Sequence, residues 1–165
     1  MNNLNNTETE KNLEAAFAGE SMANRKYLYF AKLAREMGNE EVADLFEETA
    51  NQETGHAFAH LQLLYPAKEM TVEKLLELAI EGELYETNQM YPEFERIARK
   101  EGRLDAVDEF IEQAEESAEH AKVFTQAAKR FNSLGKVEEW HARRYQKALE
   151  NLGDHGDQAE HKESA

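Results

Sequence analysis

An internal duplication leaves this chain few architectures. The segment from Ala43 to Ala57 lies over the segment from Val107 to Ala121. Phe46 then meets Phe110, Ala50 meets Ala114, and His56 meets His120, 64 positions apart. Upstream, Ala18, Gly19 and Glu20 match Glu81, Gly82 and Glu83 at an offset of 63. Between these blocks, Leu33, Ala34 and Arg35 match Ile97, Ala98 and Arg99, and Gly38 matches Gly102, again at 64. The pattern predicts two helical hairpins built from one duplicated unit. Each brings a Glu from its first helix and a His from its second, which is how a helical bundle assembles a two-metal site.

The stretches between turn signals are long and rich in Ala, Leu, Glu, Lys and Arg, all good helix formers. The expected elements are helix A from about Thr9 to Met37, helix B from about Glu40 to Leu64, helix C from the Thr71 N-cap to about Lys100, and helix D from about Leu104 to Phe131. Gly38 and Gly102 suit the ends of the first helix in each hairpin. Asn132, Ser133 and Gly135 predict a break, followed by a shorter fifth helix near Val137 to Leu149 with Trp140 packed inward. The fold class is therefore all-α, a four-helix bundle with an additional C-terminal helix. Its divisions are an extension over 1–9, the bundle over 10–134, the extra helix over 135–151 and a polar, disordered tail over 152–165. Pro92 falls inside helix C, where it cannot donate to the carbonyl of Asn88, and it predicts a kink or bulge there.

The absence of cysteine from all 165 residues rules out iron–sulfur clusters, thiol catalysis and disulfides, and agrees with a reducing, cytoplasmic setting. No stretch approaches the roughly 18 apolar residues that span a bilayer, so no membrane association is expected. A formal charge of −15 repels phosphate backbones and argues against nucleic acid as a partner. Most of the excess acid reads as solvated helix faces. Carboxylates on core-facing stripes are different, because burying them unpaired is costly.

Positions i and i+3 lie about 60° apart on a helix, so Glu53 and His56 can bind one ion, and Glu83 and Glu86 share that spacing. Glu20 is the repeat partner of Glu83, and His120 that of His56. The candidate metal ligands are thus Glu20, Glu53, His56, Glu83, Glu86 and His120. Oxygen and imidazole donors suit iron or manganese, alone or mixed. The position matching Glu53 in helix D is Ser117. Either Glu116, about 40° round the helix from His120, substitutes for the missing acid, or one metal lacks a protein carboxylate and takes water. Glu138 and His141 repeat the Glu-x-x-His spacing outside the duplication and read as surface residues. Tyr27 and Tyr91 follow Glu20 and Glu83 within about two turns. Each reads equally as core packing or as a phenol bonded to a ligating Glu.

The run from Asn12 to Ala31, Glu53 to Ala57, Gly82 to Glu86, and Met90-Tyr91-Pro92 closely resemble the first three helices of rubrerythrins, and the likeness extends over about residues 10 to 131. The resemblance implies a ferritin-like bundle holding two iron ions. It also implies reduction of hydrogen peroxide to water, with dioxygen reactivity as a lesser activity. It assigns Glu20, Glu53, His56, Glu83, Glu86 and His120 as ligands and Tyr27 and Tyr91 as supporting phenols. Glu86 would be the carboxylate that trades places with a His as the irons change oxidation state. Ser117 departs from the family's ligating Glu, and the four-Cys rubredoxin domain of long members is missing from this sequence. Electrons would come from a separate donor protein, and bundles of this class usually form homodimers. The alternatives are a ferroxidase or iron-handling protein, or a metal-depleted bundle in which Ser117 has abolished the paired centre.

Overall fold

The structure, a computed structural model, describes residue 4 and residues 6–160, with side chains followed through residue 147. Its helices are α1 (Glu8–Glu36), α2 (Glu40–Leu64), α3 (Val72–Tyr85), α4 (Tyr91–Glu101) and α5 (Leu104–Glu160). A 3-10 turn covers Ala67–Glu69, and a π-helical segment, Glu86–Met90, joins α3 to α4. No strand occurs among the described residues. The chain divides into two compact units, Met1–Met70 and Thr71–Ala165. In the first, α1 pairs with α2; in the second, the α3–π–α4 arm pairs with α5.

Each hairpin turns by the same device. Gly38 and Gly102 sit at φ 78° and 74°, a left-handed conformation that a Cβ disfavours. Asn39 N–H reaches back to the Ala34 carbonyl at 2.9 Å, and Arg103 N–H to the Ala98 carbonyl at 2.9 Å, closing matching Schellman-type caps. The next helix then starts at once. Asn39 caps α2 by accepting from Val42 N–H at 3.1 Å; α3, which follows the 3-10 turn rather than a glycine turn, is capped by Thr71, which accepts from Lys74 N–H at 3.2 Å.

The seams are duplicated as well. Ala43, Ala50 and Ala57 are buried along α2 at seven-residue spacing, and Val107 and Ala121 occupy the matching positions on α5. Ala34 on α1 and Ala98 on α4 are likewise matched and buried. Small side chains let paired helices approach closely. Bulky ones such as Met22, Leu45, Phe58, Leu75 and Leu84 remain exposed.

The bulge predicted at Pro92 is the π segment, and it explains the change of offset within the repeat. Glu83 matches Glu20 at 63, whereas Ile97 matches Leu33 at 64, so one residue has been inserted between them. A π turn accommodates such an insertion inside a helix. Tyr91 N–H bonds the Glu86 carbonyl five residues back, and Pro92 enters at the first turn of α4, where its missing N–H does least harm. Side chains of the π segment also bond carbonyls of the preceding turn. Thr87 Oγ1 donates to the Glu83 carbonyl and Asn88 Nδ2 to the Leu84 carbonyl, both at 2.8 Å.

Three boundaries differ from expectation. Thr7 caps α1 by accepting from Glu10 N–H at 3.1 Å, so residues 8 and 9 of the expected 1–9 extension are helical; residues 1–3 and 5 lie outside the described residues. The break at Asn132–Gly135 is absent, and α5 runs unbroken through the expected fifth helix (135–151) to Glu160. Of the tail expected to be disordered over 152–165, residues 152–160 are therefore helical, and 161–165 lie outside the described residues. No proline interrupts α5, and Asn, Ser and Gly each cost only about 1 kcal/mol or less in a helix interior. Ser133 Oγ satisfies itself on the Lys129 carbonyl at 2.8 Å. Trp140 is not packed inward. It is 56% exposed, with the Arg144 guanidinium 5.4 Å over its ring.

No side chain would obstruct a Cβ at Gly102 or Gly135, so backbone conformation decides both substitutions. Gly102→Ala should lower unfolding free energy by about 1 kcal/mol, while Gly135→Ala should leave it unchanged or raise it by up to about 1 kcal/mol. Urea titrations followed by circular dichroism check both.

Candidate metal centre

In the first hairpin, Asn24 fixes the register of α1 on α2. Its amide donates to the Ala50 carbonyl at 2.7 Å and to Thr54 Oγ1 at 3.0 Å. Glu20, one turn before Asn24, is thereby set against Glu53 and His56. The three offer ligand atoms that all lie within 4.8 Å of one another. His56 Nδ1 stands 2.8 Å from Glu53 Oε2, its neighbour one turn back. The Glu53 side chain is 15% exposed and that of His56 61%, so the cluster sits at the edge of the alanine seam, with the imidazole toward water. Two carboxylates with an imidazole form a donor set that fits a divalent ion.

The second hairpin carries the related set in altered form. Glu83 on α3 meets His120 on α5, Oε2 to Nδ1 at 3.4 Å. Glu86, the first residue of the π segment, accepts a hydrogen bond from Ser117 Oγ on α5 at 2.9 Å. Ser117 is 5% exposed, the buried polar side chain of the described residues. It therefore lines the set. Glu116, the expected stand-in, is exposed beside it, and the described residues give it no polar partner. Glu83, Glu86 and His120 do not form a group of three within the span found in the first hairpin.

The two tyrosines differ. Tyr27 stacks on Phe46 with ring centroids 5.9 Å apart, and among the described residues its hydroxyl bonds no candidate ligand. Tyr91 packs near Phe94 and Phe110, at 6.4 and 6.3 Å. Burial pushes its phenol above the usual value near 10, and the negative charges of Glu86, Glu109, Glu83 and Glu116 add to the rise. Glu138 and His141 lie exposed on the distal part of α5, with the His141 ring 5.0 Å from that of Trp140.

A family model, Rubrerythrin, matches residues 11–128, which include both ligand sets. The chain belongs to the rubrerythrin family. Its all-α fold is accordingly of the ferritin-like class, and members of this family carry a di-iron site. Rubrerythrin from Nitratidesulfovibrio vulgaris is 33% identical, across 92% of this chain and 74% of that protein. Nigerythrin from the same organism is 38% identical, across 72% of this chain and 65% of its own length. Rubrerythrin from Porphyromonas gingivalis is 32% identical across 92% of this chain and 70% of its own. Among solved structures, nigerythrin in a mixed-valence state is 37% identical, covering 75% of this chain and 67% of that one, with a TM-score of 0.39.

For a rubrerythrin-family chain, most of the candidate ligands were visible from the repeat. Asn24 and Thr54 were missed, because one amide on a polar helix face carries no signal until its partner carbonyl is known. The π segment had a signal, the step from 63 to 64, which only the structure translates into geometry.

In metal-free protein, Tyr91 should be among the last phenols to ionise. The neutral phenol's contribution to stability is complete below the ordinary value near 10 and is lost as pH rises above it. An alkaline titration followed by tyrosinate absorbance should lose its highest-pH component in Tyr91→Phe.

Proposed function

We propose that this chain is a non-haem di-iron peroxidase that reduces hydrogen peroxide to water with electrons from a separate donor protein. The convergence of Glu20, Glu53 and His56 within 4.8 Å carries the reading. Family membership supports it. In the first hairpin the ligands would be Glu20, Glu53 and His56; in the second they would be Glu83, Glu86 and His120, with Glu116 or water where Ser117 leaves a gap. When bound, two ferrous ions would supply the two electrons that one peroxide needs and a Lewis-acidic surface for its oxygens.

The chain's own residues would do the rest. The carboxylates offset the ions' charge and hold them in place. Reduction of one peroxide to two waters also consumes two protons. Tyr91 and Glu86 would carry them, and Tyr27 would serve the first hairpin in the same capacity. Dioxygen would be the lesser substrate. Native occupancy by manganese, alone or with iron, fits the same donors. No described helix is long and apolar enough to cross a membrane, and a cysteine-free chain suits the reducing cytoplasm. Exposed Met22, Leu45 and Phe58 on the first hairpin would be covered in a homodimer.

One observation favours a second reading. Ser117 stands where the repeat calls for a carboxylate and bonds Glu86, as a metal-depleted or iron-handling bundle would allow. Anaerobic loading with ferrous ion, then one addition of peroxide, separates these possibilities. The peroxidase should hold about two ions per chain and consume peroxide faster than dioxygen. Glu53→Gln and His56→Ala should each lower the rate at least roughly tenfold, the scale of one lost ligand or its support. Faster reaction with dioxygen and iron accumulation would favour ferroxidase activity. One ion or none would favour the depleted bundle.

A further inference from the structure

Charge is unevenly spread along α5. Residues 129–147 carry six basic side chains, Lys129, Arg130, Lys136, Arg143, Arg144 and Lys147, against two acids, Glu138 and Glu139, in a chain of net charge −15. Every residue of this stretch is exposed. Its apolar members are exposed too, Leu134 at 62%, Val137 at 52%, Trp140 at 56% and Tyr145 at 67%. The earlier part of the same helix has the opposite character. Asp108, Glu112, Glu115 and Glu119 are exposed there, and their three- and four-residue spacing places them on one side. Lys122, the cation next to them, is taken up by Glu119. At about 100° per residue, Arg130, Val137, Trp140 and Arg144 continue that side, within about a third of the circumference. Ser117 and Ala121 are buried on another side, in the seam. One outward stripe of α5 therefore runs from acid to base, and its basic half holds the chain's single tryptophan.

We propose that this stripe is a self-association surface, on which two copies of the chain pair through α5 helices running in opposite directions. The stripe selects its own occupant. An acidic protein or a nucleic acid would be attracted by the basic half and repelled by the acidic half. A second copy laid in reverse sets acid against base in both halves, and a two-fold pairing of this kind closes on itself. It also covers Val137 and Trp140 of each copy, which a single copy leaves exposed. Arg144 lies over the Trp140 ring at 5.4 Å, so aromatic and cation are presented together, as suits the centre of an interface. Exposed ion pairs add little strength each. The charges therefore set the direction of the pairing, and burial of Val137 and Trp140 supplies its attraction. The contact uses α5 alone, apart from the exposed face of the first hairpin, and it does not depend on metal.

Trp140 is the only tryptophan, so its emission reports the contact directly. In the full-length protein at low salt, emission should move to shorter wavelength as concentration rises, in step with the mass measured by analytical ultracentrifugation. High salt should move this transition to higher concentration, because exposed charges are screened. Arg130→Glu with Arg144→Glu, or Asp108→Lys with Glu112→Lys, moves the stripe toward a single sign. Each double variant, with the circular dichroism of wild type, should associate at least roughly tenfold more weakly. An equimolar mixture of the two double variants should restore the pairing, since each then meets the opposite charge along the stripe. Double variants with the mass of wild type at every concentration, or a mixture that fails to restore the pairing, would overturn the proposal. So would a wild-type protein that shows no salt-sensitive association yet is retained on heparin, which would assign the cations to a polyanion instead.

Discussion

Carboxylates gathered beside a helix seam repel one another, and the first hairpin tolerates this only in a specific arrangement. Glu53 is largely withdrawn from water, Glu20 is half-buried beside it, and the side chain paired with Glu53 is an imidazole. Among the described residues no lysine or arginine pairs with Glu20 or Glu53. Arg35, the best-connected cation of the hairpin, is engaged with Glu40, Asp44 and Glu47 near the turn. Arginine pairing is thus used elsewhere, and the acid–imidazole cluster keeps a donor set that fits a divalent ion.

The duplicated hairpin shows how such a cluster is positioned and then varied. Both turns use a left-handed glycine and the same six-to-one backbone bond. Both second helices bury a small-residue seam at matching positions. Two changes separate the copies. A one-residue insertion becomes a π turn and introduces Glu86, an acid with no counterpart in α1. The replacement of the expected acid by Ser117 then gives that new carboxylate a partner. The second hairpin's chemistry therefore follows from two local departures on a scaffold that is otherwise repeated.

Much of this was legible in the sequence, for identifiable reasons. Helix type and hairpin pairing follow from periodicity, from glycine at the turns and from the offset of 64, because those patterns report backbone geometry directly. The ligand candidates follow from i, i+3 spacing, which a helix converts into a shared face. The α5 boundary was misjudged because Asn132, Ser133 and Gly135 lower helix propensity without forbidding a helix, and the chain continues through them. Trp140 was misplaced on the assumption that a large aromatic needs a core, whereas its ring lies under Arg144 in solvent. The Ser117–Glu86 bond was beyond sequence reasoning. It depends on where a π turn aims one carboxylate, and no spacing rule encodes that.

The central claim is that these acidic clusters are ion sites, not ordinary surface charge. The most direct measurement is thermal unfolding of metal-free protein, without air, before and after a slight excess of ferrous ion. If the clusters bind the ion in the folded state alone, the midpoint must rise by mass action, and the ion must remain with the protein after desalting. An unchanged midpoint, with no iron retained, would contradict the account.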